Sequence, residues 1–170
     1  LPLATPVSDA KVLTGRQKPL TEIAFIFAEI RTRDGHQGIG FGYSKRAGGP
    51  GMYAHAKELA PHLIGEDPND ISRLFTQLLW AGASMGRSGL TTQATAPFDI
   101  ALWDLVGKAS GLPLVRLLGG PCHATVPCYV SGLPGDTLEA RVERARQLAE
   151  AGATAFKVFM SATAAACLAE

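Results

Sequence analysis

The stretch APFDIALWDLVGKASGLPLVRLLGG, residues 96–120, decides how the rest of the chain is read. Phe98, Ala101, Leu102, Leu105 and Ala109 follow the i, i+3, i+4, i+7 spacing of one helix face. Ile100, Trp103 and Val106 carry apolar character onto the flank. The pattern predicts a helix over 96–108 that is covered on most sides rather than lying on a surface. Gly111 supplies the stop, and Pro113 opens a short second helix where its missing N–H costs nothing. Gly119 and Gly120 end that helix. Asp104 and Lys108 form an i, i+4 pair of a few tenths of a kcal/mol.

Upstream of this helix the pattern is that of an antiparallel hairpin. EIAFIFAEI (residues 22–30) is an almost continuously apolar strand, and Arg33, Asp34, Gly35 and His36 make a turn in which Gly35 takes a positive φ. The return strand over 37–43 puts Gly38, Gly40 and Gly42 on one face and Ile39, Phe41 and Tyr43 on the other. A bare glycine face predicts close approach of a ligand or another backbone. These glycines lie within a hairpin strand rather than between a strand and a helix start, so the context of a dinucleotide loop fails. Residues 1–6 read as an edge strand.

Between hairpin and central helix, Tyr53, Ala56, Leu59, Ala60 and Leu63 predict a helix that Gly65 closes. Asn69 or Asp70 caps another with Ile71, Leu74, Phe75, Leu78 and Leu79 as its stripe. AGASMGRSG (81–89) reads as a linker, with an anion-accepting loop around Arg87 as the alternative. Past Gly120 the pattern changes. VPCYV (126–130) and AFKVF (155–159) read as strands flanking a helix that starts at Asp136 or Thr137 and ends at Gly152, a βαβ unit and hence a parallel pair.

The 170 residues carry 16 Lys and Arg against 15 Asp and Glu, a net charge of +1, which argues against nucleic acid and against a polybasic membrane contact. Three cysteines, Cys122, Cys128 and Cys167, form no C-x-x-C pair and fit a reducing compartment. No apolar run approaches the ~20 residues of a membrane span, so a cytoplasmic protein is expected. The chain does not begin with Met, which predicts a portion upstream. His36, His55, His62 and His123 have no ligand-spaced partners and read as surface or packing residues.

The order of elements resembles the enolase superfamily, in its mandelate racemase and muconate lactonizing branch. FDIALWDLVGKASGLPLVRLLGG is similar to that branch's joint between cap and barrel, and EIAFIFAEIRTRDGHQGIGFGYS to its cap hairpin. LPLATPVSDAKVLTGRQKPLTE, GYSKRAGG, YAHAKE and LLWAGASMGRSG resemble galactarate- and L-talarate-type acid-sugar dehydratases. The implied fold is α+β: an enolase-like N-terminal capping domain over 1–120, with a three-stranded antiparallel sheet plus helices. Residues 121–170 would be the first βαβ unit of a truncated (β/α) barrel, ending in an atypical Ala-rich tail. A complete barrel takes about 250 residues.

The implied activity is a hydro-lyase reaction: a proton leaves the carbon next to a carboxylate, Mg²⁺ stabilises the enediolate, and water is then lost. In the family two cap loops select the substrate, and they match SDAKVLTGRQKP (8–19) and SKRAGGPG (44–51). Read from the residues alone these are solvated charged loops. The resemblance implies that Lys11, Lys45 and Arg46 meet the far carboxylate of a dicarboxylate polyol, with Asp9 and Ala10 beside them and Lys157 as a further contact.

The family base is the second lysine of a Lys-x-Lys strand, where two ammonium groups on one face lower each other's proton affinity from about 10.4 towards ~7–8. Here Lys157 keeps the first position, and Phe159, which takes no proton, stands at the second. No metal ligand is assigned to this chain, and no catalytic residue is intact. The expectation is therefore a dehydratase fragment, inactive alone and homo-oligomeric in full-length form. A non-catalytic cap or assembly module and a racemase or cycloisomerase of the same branch are the alternatives.

Overall fold

The computed structural model of the chain describes residues 1–7, 20–45 and 47–158. They group into two compact units, the first from Leu1 to Pro121 and the second from Cys122 onward. In the first unit, β1 (Pro2–Val7), β2 (Leu20–Arg31) and β3 (Gln37–Lys45) form an antiparallel sheet in the order β1-β2-β3. Residues 32–36 make the tight turn between β2 and β3, with Gly35 at φ 93°. The register pairs Phe27 with Phe41 and Ala28 with Gly40.

Helices cover one face of the sheet. α1 (Gly49–Leu59) ends one turn earlier than the apolar spacing predicts, and a 3₁₀ turn carries the chain over Ala60–Leu63. Pro61 is the cause, because it has no N–H to continue the α ladder. The buried face is also rotated from the predicted one. Met52, His55, Ala56 and Leu59 are buried, while Tyr53 faces solvent. In α2 (Ile71–Ala81) the inward stripe is Ile71, Leu74 and Leu78. Asp70 stands at its N-cap without a side-chain bond to the helix backbone, and its carboxylate instead accepts from Arg73 Nε at 3.0 Å. Beyond α2, residues 83–85 make a 3₁₀ turn, and the Arg87 guanidinium lies over the Trp80 ring at 4.9 Å.

The central helix α3 (Leu90–Ser110) is longer than the 96–108 helix that the sequence predicts. After Leu90 its first turn is built of polar residues, and Thr91, Ala94 and Thr95 are buried without an apolar stripe to announce them. Pro97 sits inside the helix, and the carbonyl it leaves without an i+4 donor belongs to Gln93, an exposed residue. Phe98, Ala101, Leu102 and Leu105 face the core as expected, but Ile100 and Ala109 are exposed. Gly111 ends the helix at φ 67°, and Pro113 caps the short α4 (Leu114–Leu117).

The glycine face of β3 meets α3 directly. A Cβ on Gly38 would stand 2.0 Å from the Ala101 carbonyl oxygen, and one on Gly40 would stand 1.9 Å from that of Pro97. Backbone against backbone is what the missing side chains permit. The Asp104 carboxylate closes the same seam, accepting from the Ile39 N–H at 2.8 Å and from Lys108 Nζ at 2.5 Å. These bonds, the Lys108 one first, hold its carboxyl below the usual range. Asp99, one turn earlier, is shifted the other way by burial.

In the second unit β4 (Val130–Ser131) and β5 (Phe156–Lys157) pair in parallel, and α5 (Leu138–Glu150) runs between them. The β4 strand is two residues long rather than the predicted five. Pro127 interrupts the predicted stretch, since it cannot donate to a ladder. Thr137 caps α5, its hydroxyl accepting from the Ala140 N–H at 3.2 Å. Gly152 ends it at φ 101°. α5 buries none of its residues fully.

Candidate functional site

One end of the cap sheet gathers the predicted substrate loops. Val7 closes β1 and pairs with Leu20, which opens β2, so the 8–19 segment leaves and re-enters the sheet at one place. Lys45 closes β3 and pairs with Ile23, three residues along from that junction. The tight turn at 32–36 lies at the opposite end. Three separate chain passages therefore converge at the loop end of the sheet, a construction that suits recognition.

The second loop is held by short local bonds. The Ser44 hydroxyl donates to the Ala47 carbonyl, and the Ala47 N–H donates to the Lys45 carbonyl at 2.8 Å. Gly48 turns the chain at φ 88°, and its carbonyl accepts the Met52 N–H at 2.8 Å, which starts α1. Gly49 lies against β2, where an added Cβ would stand 2.5 Å from that of Ala24. Ser44 and Gly49 are positioning residues that the charge pattern does not reveal. Their signal is a serine and a Gly-Gly-Pro run between a strand and a helix.

Lys45 is exposed, with its ammonium 5.8 Å from the centre of the Tyr43 ring. The other predicted substrate residues of the cap, Asp9, Ala10, Lys11 and Arg46, lie outside the described residues, as do Phe159 and Cys167. Lys157 ends β5 at the carboxyl edge of the parallel pair, and its carbonyl accepts the Gly132 N–H at 3.0 Å. The carboxyl ends of parallel strands are where barrel enzymes assemble their sites.

Among the described residues no three His, Cys, Asp or Glu side chains converge to hold a metal ion. His55 is buried and structural: its Nδ1 lies 3.1 Å from Glu58 Oε2 and its Nε2 lies 3.1 Å from the Thr91 hydroxyl. The Thr91 hydroxyl donates in turn to the Gly82 carbonyl at 2.8 Å. Cys122 and Cys128 are exposed free thiols. An open groove of about 1010 Å³ lies at the tight-turn end, lined by Arg31, Arg33, Lys57, Glu66, Leu63 and Phe98 among others. Its charges are mixed, and it is remote from the loop end. No helix among the described residues is long and apolar enough to cross a membrane.

Known proteins place this architecture. Residues 11–119 match the family described as Mandelate racemase / muconate lactonizing enzyme, N-terminal domain. An L-talarate/galactarate dehydratase of Salmonella typhimurium is 69% identical over 129 residues, which is 76% of this chain and 32% of that protein. An L-rhamnonate dehydratase of Saccharopolyspora erythraea is 35% identical over 106 residues, 62% of this chain and 26% of that protein. Among solved structures, the Salmonella L-talarate/galactarate dehydratase liganded with Mg and L-lyxarohydroxamate superposes with TM-score 0.85 at 55% identity, covering 99% of this chain and 44% of that one. An L-talarate dehydratase from Polaromonas sp. JS666, complexed with Mg and L-glucarate, superposes with TM-score 0.78 at 59% identity over 88% of this chain and 40% of that one. The chain spans about a third of the length of the curated relatives it matches.

Proposed function

Because the chain belongs to the mandelate racemase/muconate lactonizing enzyme family, we propose that it supplies the substrate-selecting cap and the barrel opening of an Mg²⁺-dependent acid-sugar dehydratase of the galactarate/L-talarate type. Residues 1–120 are its capping domain and 121–170 the start of its barrel. The observation that carries this reading is the high identity with the Salmonella dehydratase across three-quarters of the chain. The convergence of Val7, Leu20 and Lys45 at one sheet end supports it on physical grounds.

An acid sugar is a dicarboxylate polyol, so one carboxylate is held beside the reacting carbon and the other needs cations at a distance. Lys11, Lys45 and Arg46 supply that second positive patch from two loops on one sheet end, and Asp9 accepts from substrate hydroxyls. Lys157 contacts the carboxylate nearer the chemistry from the strand end on which it stands.

Mg²⁺ would stabilise the enediolate formed when the α-proton leaves; the described residues do not hold it, and Phe159 takes no proton. The 170-residue chain therefore binds and orients but does not turn over. The full-length form is a cytoplasmic homo-oligomer. Galactarate or L-talarate incubated with the chain and Mg²⁺ should give no keto-deoxy acid, and product at a rate proportional to chain concentration would overturn this reading.

A further inference from the structure

We propose that His55 is a positioning residue: it sets the rotation of α1 about its own axis and thereby places the loop that carries Lys45. The consequence for substrate rests on the reading of 44–51 as a selecting loop; the pin itself does not. α1 offers two inward faces. Tyr53, Ala56 and Leu59 form the more apolar one, and Met52, His55, Ala56 and Leu59 form the one that is buried. At about 100° per residue the centres of the two faces lie about 50° apart. Hydrophobic burial alone favours the first, since it would take in a tyrosine that is 58% exposed and release an imidazole to water.

The contacts of the ring decide for the second face. The Thr91 hydroxyl, on α3, spends its single hydrogen on the Gly82 carbonyl at 2.8 Å. It therefore accepts from His55 Nε2, 3.1 Å away. Gly82, at the end of α2, comes so near the ring that a Cβ there would stand 2.8 Å from Nε2. Glu58 Oε2 faces the other ring nitrogen at 3.1 Å. The ring thus ties α1 to the exit of α2 and to α3 at one point, and a helix turned to its other face loses that tie. Fixing register is the best-attested use of a buried polar contact.

The register reaches the loop through a short span. Lys45 is held by its pairing with Ile23, and residues 46–48 alone separate it from Gly49, the first residue of α1. With Cα atoms about 2.3 Å from the helix axis, turning to the other face carries Gly49 by about 2 Å. That takes Gly49 off its seat on β2, where a Cβ would stand 2.5 Å from that of Ala24. It also disturbs the frame in which Ser44 bonds the Ala47 carbonyl and Gly48 accepts the Met52 N–H.

Amide exchange of the 170-residue chain tests the pin without turnover, so its outcome is separate from that of the substrate assignment, which the KM effects of the loop lysines decide. His55→Leu should leave the fold intact by circular dichroism, because an apolar replacement of a buried polar side chain is often neutral. It should speed exchange of the Met52 N–H at least about tenfold, while the Leu105 N–H of α3 keeps its wild-type rate. His55→Gln, whose amide nitrogen can take the place of Nε2, should retain slow exchange. Tyr53→Glu added to His55→Leu should restore it, because a carboxylate at 53 bars the competing face from the core. Wild-type protection of Met52 in His55→Leu would overturn the proposal. So would a glutamine variant or a double variant no better protected than His55→Leu. A leucine variant that loses the whole fold would overturn it too, making His55 a support of the core rather than a selector of register.

Discussion

Gly40→Ala isolates the physical basis of the cap. The added methyl would stand 1.9 Å from the Pro97 carbonyl oxygen and 2.6 Å from the Ala101 amide nitrogen. Both are backbone atoms of α3, so no side-chain rotation relieves the clash. To restore even a 3.0 Å separation the helix must retreat from β3 by about 1.1 Å. A gap of 0.5–1 Å already forfeits roughly a quarter to a half of each dispersion contact across it. That loss falls on Phe98, Ala101 and Leu105, the residues by which α3 fills the core. Overpacking of this kind costs about 3 kcal/mol, the upper end of the usual range, against a total of about 5–15 kcal/mol for a domain.

Urea unfolding followed by tryptophan fluorescence measures the change directly, because Trp103, one of the two tryptophans, lies on α3 itself. Gly38→Ala should match Gly40→Ala. Gly42→Ala should be much milder, since its nearest contact is a ring carbon of Pro97 at 3.2 Å. Where a glycine's conformation and space admit a side chain, alanine stabilises by about 0.4–1 kcal/mol through the unfolded state. A Gly40→Ala variant as stable as the wild type would refute the close-approach argument.

Three further outcomes follow from particular contacts. Asp104 has its carboxyl held down by Lys108 and the Ile39 N–H, so its stabilisation is present above the ordinary carboxylate range and is lost as pH falls through its folded value; Asp104→Asn should reduce stability at pH 7 and flatten the acid decline in urea midpoints. Asp99, raised by burial, has the opposite sign: its stabilising contribution is present only in acid and is lost on ionisation, so Asp99→Asn should raise stability at neutral pH and not below the ordinary carboxylate value. Thr137→Ala removes the α5 cap, worth about 1 kcal/mol, and should speed amide exchange in α5 about fivefold while leaving α1 unchanged.

Local chemistry carried most of the fold. The hairpin and the stop at Gly111 rest on residues a few positions apart, and the parallel pairing of β4 with β5 was legible from the helix pattern that separates the two strands. Gly38 and Gly40 announced a close approach and left open whether a ligand or a backbone made it; α3 made it. The misses share a cause. The rotated face of α1 follows from His55, a polar residue buried because Glu58 and Thr91 satisfy both ring nitrogens. The early start of α3 is hidden in threonines and alanines with no apolar period. The Asp104–Ile39 bond spans 65 positions, a distance at which no sequence pattern indicates a partner. The charges of the candidate loop-end site were legible in the sequence, and its two loops were assigned by resemblance. The convergence of their ends on one sheet edge needed the β1–β2–β3 register.

The most direct test of the account transplants residues 1–120 onto the barrel of the Salmonella dehydratase and measures turnover of galactarate with Mg²⁺. The transplanted enzyme should be active. Lys45→Met and Lys11→Met should each raise KM about tenfold or more, the loss expected for one charge-assisted contact, with kcat little changed. An active transplant in which neither lysine moves KM would contradict the assignment of this cap as the substrate-selecting element.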